Sequence, residues 1–278
     1  MMKKLFPASI LLGLFAPSQA AVIGIETFDT DGFIAGQTGG TGFNYDNING
    51  VATTTTSDWD NVGNSPSVVG GALVTNGSSA KREYNGNIEG GGGGDGPDTE
   101  RAGAARGAGT VFYSVDITRS ANAVWSGISG YDFGNEKLFF GVPGSGAGTD
   151  TLGIGESGAG DTLGSVTLTD GVNHTLVAVI DFDNDLAGLF LDPDGSTDFW
   201  NVTDGANSAD VTRAYTATNW NTAARLGSGG ETTWDNLTIG INDPTDVGIL
   251  ATQPIPVPEP TSGLLGCLAM LLFLKRRR

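Results

Sequence analysis

Three aspartates stand at alternate positions in Val179-Ile180-Asp181-Phe182-Asp183-Asn184-Asp185. Alternate positions on a strand share a face, so this spacing gathers carboxylates. Two kinds of chemistry use such a group: glycosidic bond cleavage, which needs two flanking carboxyl groups, and coordination of a hard cation such as calcium. As a calcium loop the run opens correctly with Asp181, Asp183 and Asp185. It then has Leu186 where glycine is required and Asp192 where a bidentate glutamate is wanted. An EF-hand is excluded. An irregular calcium site at Asp181, Asp183 and Asp185 is the one cofactor the sequence offers, against the plainer role of aspartates as turn formers.

The only histidine is His174 and the only cysteine is Cys267. No serine or cysteine stands near His174 in a pattern that makes a hydrolytic triad. Cys267 lies in an apolar C-terminal run, so the chain before it has no disulfide and no thiol nucleophile. For ligand contact the candidates are Trp59 and Trp220, set among polar residues in Ser57-Asp58-Trp59-Asp60-Asn61 and Thr218-Asn219-Trp220-Asn221. An indole is a flat apolar platform with one polar handle, which suits the face of a sugar. The competing reading is that both rings plug the ends of a core, where large aromatics mostly sit.

Strands must position these residues. There are 45 glycines in 278 residues, and helical periodicity is absent outside the two termini. Short alternating runs are common. In Gly109–Thr118, Val111, Tyr113, Val115 and Ile117 share one face, with Phe112, Ser114, Asp116 and Thr118 on the other. In Trp234–Ile241, Leu237, Ile239 and Ile241 fall together. Further strands are expected at Ala21–Phe28, Val68–Thr75, Lys137–Val142, Ser165–Thr169, His174–Phe182 and Ala187–Leu191. The last two form a hairpin across Asp183-Asn184-Asp185, closed by Asp192-Pro193-Asp194-Gly195. An echo of residues 146–153 in residues 158–164 predicts neighbouring strands with similar turns. Gly90–Gly94, five consecutive glycines, reads as a surface loop. The pattern predicts an all-β fold over residues 21–242: a two-sheet antiparallel jelly-roll sandwich.

The termini carry a different signal. Lys3 and Lys4 precede the apolar stretch Leu5–Ala16, and Pro17-Ser18-Gln19-Ala20 follows. This is the pattern of a signal helix over residues 1–20, cut by signal peptidase between Ala20 and Ala21. Residues 243–256 read as a linker. At the other end, Thr261 to Leu274 holds no charge and predicts a short hydrophobic helix of about 21 Å. That is less than a bilayer core of about 30 Å. Lys275, Arg276, Arg277 and Arg278 pin its inner end to the cytoplasmic side. Without the two lysines of the leader and these four cations, eight of the 14 cations face all 31 acids, a charge near −23. Nucleic acid and anionic membrane surfaces are poor partners for such a domain.

Val257-Pro258-Glu259-Pro260, an apolar run and a basic end closely resemble the PEP-CTERM sorting signal, here over residues 257–278. The resemblance implies export by a bacterium with an outer membrane, processing by an exosortase near the triplet, and a transient inner-membrane association. It implies a destination at the cell surface or in an extracellular polysaccharide matrix, as in biofilms. Glu26-Thr27-Phe28-Asp29, Gly36-Gln37-Thr38-Gly39-Gly40-Thr41-Gly42-Phe43, the hairpin from His174 and the closing Trp234-Asp235-Asn236-Leu237-Thr238-Ile239-Gly240 are similar to secreted concanavalin A-like, laminin-G-like domains. Laminarinase-type enzymes on this scaffold carry Glu-x-Asp-x-x-Glu on one strand. Here Val179 and Asn184 stand at the two glutamate positions and Asp181 alone matches. The expectation is therefore an exported, non-catalytic sandwich serving adhesion, matrix organisation or glycan binding. The alternative is a polysaccharide-active enzyme, a hydrolase or lyase.

Overall fold

The computed structural model describes residues 21–241 except 47–51, 57–58, 84–85, 88–109, 122, 133–134, 147–148, 183, 195, 200–201, 203–207 and 216–222. Twenty strands lie among the described residues. The first ten are β1 (Ala21–Glu26), β2 (Gly32–Phe33), β3 (Thr41–Gly42), β4 (Asn44–Asp46), β5 (Ala52–Thr56), β6 (Trp59–Gly63), β7 (Ser67–Val69), β8 (Ala72–Thr75), β9 (Ser78–Glu83) and β10 (Gly86–Asn87). Ten more follow: β11 (Thr110–Arg119), β12 (Ser126–Asp132), β13 (Asn135–Val142), β14 (Thr151–Glu156), β15 (Gly160–Thr167), β16 (Asn173–Asp181), β17 (Leu186–Leu191), β18 (Val211–Ala214), β19 (Ala223–Ser228) and β20 (Thr232–Ile241). No helix among the described residues is long and apolar enough to cross a membrane. The two terminal signals and the linker lie outside the described residues.

Two antiparallel sheets make a sandwich. The ten-stranded sheet runs β18-β17-β16-β11-β20-β8-β7-β2. Strand β1 shares the β8 edge of β20 and carries β3 on its other side. The seven-stranded sheet runs β15-β14-β13-β12-β19-β9-β6. A small third sheet joins β4, β5 and β10, with β4 and β10 parallel.

Alternation decides what lies between the sheets. Val111, Tyr113, Val115 and Ile117 all point inward, each at most 1% exposed. Leu176, Ala178 and Ile180 do the same from β16, and Leu138, Phe140 and Val142 from β13. Part of the opposite face of β11, β16 and β17 is buried too. Phe112, Val177, Val179 and Phe190 form a second core beneath Phe199 and Val202, which belong to the connection after β17. Burial on both faces explains why β16 reads as a continuous apolar run.

One expectation needs correction, and one strand departs from simple alternation. Val68–Thr75 is not one strand: Gly70 and Gly71 both take positive φ and fold it into the β7–β8 hairpin. Such a turn needs left-handed backbone at both positions, which glycine reaches without strain. In β20, Trp234 and Leu237 are both fully buried although an odd spacing should oppose them. The register against β11 shifts at this point and Asn236 has φ 52°, so a bulge turns both side chains inward. The echoed segments do form neighbours, as the β14–β15 hairpin.

A buried charge ties the first strand to the second sheet. Glu26 is 3% exposed and pairs with Arg82 of β9, which is fully buried. Its carboxylate also accepts from the Trp59 indole at 3.0 Å and from the Phe28 amide at 3.0 Å. Arg82 stacks over the Phe43 ring at 4.0 Å and donates to the Gly39 carbonyl. A second link joins the sheets through hydroxyls: Trp234 Nε1 donates to Thr75 at 2.9 Å, and Thr75 bonds Ser228 of β19 at 2.6 Å.

Candidate functional site

The residues singled out from sequence do not converge. Trp59 cannot be a sugar platform: it is fully buried against Phe28 and Phe43, with its indole N–H committed to Glu26. Trp220 and Asp183 lie outside the described residues. Asp181 is 8% exposed and shapes the β16–β17 turn, accepting from the Asn184 amide at 3.1 Å and its side chain at 2.7 Å. Asp185 is exposed with φ 55°, a turn position. No three His, Cys, Asp or Glu side chains among the described residues are grouped to hold a metal ion. His174 is a strap. Its Nδ1 lies 2.6 Å from Asp192, and its Nε2 accepts from the Thr169 amide at 3.3 Å. That acceptor role places the proton on Nδ1, which donates to the carboxylate.

A pocket of about 290 Å³ lies instead on the outer face of the seven-stranded sheet. Its apolar wall is Trp125, Phe139 and Pro143. The strip of sheet beneath these rings follows from register. Gly227, Gly127, Gly141 and Gly153 stand directly opposite one another across β19, β12, β13 and β14. Four glycines in a row leave a strip of bare backbone, on which rings can lie flat. A Cβ on Gly127 would come 2.8 Å from Cε2 of Phe139, and one on Gly227 3.1 Å from Cη2 of Trp125. The two rings meet edge to face with centroids 6.2 Å apart. Gly141 has φ 146°, and a Cβ there would strike the Ser126 carbonyl and come 2.7 Å from the Gly127 Cα. Gly141→Ala is therefore expected to cost about 1–3 kcal/mol through backbone strain and to disorder the Phe139 side of the pocket. Denaturant unfolding of the two proteins checks it.

Charge rings this apolar floor. Opposite Phe139 stands Gly155, and opposite Gly155 stands Asp161. With no side chain on Gly155, the exposed Asp161 carboxylate leans over it and accepts from Ser145 at 2.5 Å. Glu156 receives two bonds from Arg213, at 3.0 and 2.7 Å. Arg225 lies 5.0 Å over the Tyr131 ring and 6.0 Å from the Trp125 ring, and donates to Glu136. The lining thus presents two outward carboxylates, Glu136 and Asp161, and one cation, Arg225, whereas Glu156 stands opposite the buried Leu138 and turns inward to Arg213 of the other sheet.

Burial pushes the Tyr131 phenol up to about 12; Glu136 adds to the rise and Arg225 opposes it. The folded-state value exceeds the ordinary value of about 10. Its stabilising contribution is full below about pH 10 and is lost as pH rises towards 12. In an ultraviolet titration Tyr131→Phe should remove a late-ionising phenol and leave the other phenols unchanged.

None of these pocket residues was found by sequence reasoning. The signal available was glycine inside strands, in Gly153-Ile154-Gly155 of β14 and Gly227 of β19. Interior glycines weaken a strand and mark close approach of another group.

No family model matches the chain. No curated protein matches it either. Solved structures similar in fold include a sialidase, with TM-score 0.43, 8% identity, and 65% of this chain aligned to 16% of that one. The Trypanosoma rangeli sialidase in complex with sialic acid gives TM-score 0.48 and 10% identity over 83% of this chain and 32% of that one. The Caenorhabditis elegans galectin LEC-6 gives 0.34 and 9% over 49% and 84%. The chain spans about a third or less of the length of these sialidases. These are likenesses of a β-sandwich fold and transfer no activity. The expectation that the domain is no enzyme is nonetheless corrected. The sequence argument against catalysis covered only the strand around Asp181 and the surroundings of His174, whereas two carboxylates, Glu136 and Asp161, line a pocket elsewhere.

Proposed function

We propose that this is an exported glycan-binding β-sandwich whose site is the Trp125–Phe139 pocket on the outer face of the seven-stranded sheet. The observation that carries the reading is the aromatic pair lying on a strip of glycine backbone and edged by Glu136, Arg225 and Asp161. Binding sites combine an apolar surface with a few placed polar groups, and a sugar ring presents an apolar face and a hydroxyl edge to match. Affinity electrophoresis of the full chain through gels containing matrix polysaccharides tests it. Retardation by at least one polysaccharide is expected, and uniform migration through a broad panel would sink the reading.

The two outward carboxylates of the pocket, Glu136 and Asp161, favour a second reading, cleavage of the bound glycan, since such chemistry uses paired carboxyl groups. Release of reducing ends by the full chain, lost in Glu136→Gln or Asp161→Asn, would establish it.

The address is proposed from the termini. A signal peptidase cuts after Ala20, and an exosortase acts at Val257-Pro258-Glu259-Pro260 while the short apolar run and Lys275–Arg278 hold the chain in the inner membrane. The domain then passes to the cell surface or matrix. Intact-mass measurement on protein from the producing cell should find a chain that begins at Ala21 and lacks the basic end. Replacing Pro258-Glu259-Pro260 by alanines should leave it uncut in the membrane fraction. Native protein that retains Arg278 would overturn the sorting reading.

A further inference from the structure

Resting on the glycan-binding reading above, we propose that the pocket takes a glycan carrying free amino groups, a cationic amino-sugar chain, and rejects chains of sugar acids. The outward charges of the lining are two carboxylates, Glu136 and Asp161, and one cation, Arg225. The cation is already committed to Glu136. An acidic sugar would find no uncommitted guanidinium in the lining, and a carboxylate brought in without a partner is costly. Asp161 is the carboxylate with no arginine. Its one described partner is the neutral Ser145 hydroxyl, and its side chain is exposed over Gly155 at the pocket edge. A sugar stacked on the apolar wall would present an equatorial substituent to this edge, where an ammonium gains an ion pair as well as a hydrogen bond and an acetamide N–H gains the hydrogen bond alone. The long-range field agrees, since a charge near −23 over the chain between the leader and the basic end draws cations and repels polyanions.

Calorimetric titration of the full chain at low salt with a glucosamine tetramer, an N-acetylglucosamine tetramer and an oligouronate tetramer tests this, with tetralysine as competitor. The glucosamine tetramer is expected to bind about threefold to fivefold more tightly than its acetylated form, the gain expected of one exposed ion pair. The oligouronate should bind most weakly. Added salt should shrink the difference. Asp161→Asn, at an exposed position, should bring the affinities for the two hexosamine tetramers together. Equal or tighter binding of the acetylated tetramer or the oligouronate overturns the inference. So does a preference that survives in Asp161→Asn, or displacement by tetralysine as effective as by the glucosamine tetramer. Binding without this order defeats the amino-sugar inference alone; no binding of any glycan here or in the affinity gels defeats the glycan-binding reading with it.

Discussion

Glu26→Ala should destabilise the fold by about 3–5 kcal/mol, the usual cost of leaving a buried charge without its partner. Arg82 is fully buried, so its guanidinium cannot turn to water when Glu26 is lost. The same substitution strips an acceptor from the Trp59 indole and from the Phe28 amide. The Gly39-Gly40 segment, packed directly against Glu26, would lose its support. A double replacement by Glu26→Leu and Arg82→Met should recover most of the loss, because apolar side chains of similar volume replace buried ion pairs at little cost. Denaturant midpoints of the full chain, followed by tryptophan fluorescence, measure both. If Glu26→Ala unfolds at the wild-type midpoint, the node does not hold β1 to the seven-stranded sheet.

Trp125→Ala should weaken glycan binding at least tenfold, about 1.4 kcal/mol or more. Aromatic anchors at the centre of a binding patch commonly account for about 2 kcal/mol or more when truncated. Trp125 is partly exposed and precedes β12 rather than forming part of the core, so its loss should leave the unfolding midpoint within about 1 kcal/mol of wild type. Gly227→Ala makes the same point without removing the indole. The new methyl would press on the ring at 3.1 Å and on Ser79, tilting the platform off the sheet. Gel retardation of both variants beside the parent measures the effect. Undiminished retardation in Trp125→Ala would move the binding surface away from this pocket.

Much of the fold is legible in the chain. The alternation of Val111, Tyr113, Val115 and Ile117 predicts the inward face of β11, because a strand has period two whatever its neighbours. The hairpin of β16 and β17 is legible because its turn is local, built from Asp181 and Asn184 within a few residues. The two-sheet class follows from many such runs between turn residues. The direction of Trp234 is not legible, because the bulge at Asn236 arises from pairing with β11, more than a hundred residues earlier.

The candidate site was hidden for a related reason. Polar neighbours around Trp59 suggested exposure, but a strand alternates, and the inward position was decided by Glu26 and Arg82 arriving from other strands. Gly127, Gly141, Gly153 and Gly227 are four unremarkable glycines among 45 until register sets them in one row. Trp125, Phe139, Arg225 and Asp161 meet only over that row. By itself the sequence determined the strand pattern and the charge, which depend on composition and local order. Tertiary structure alone decided where Trp125 and Phe139 rest, since the glycine strip beneath them is made by hydrogen-bond register between strands distant in the chain.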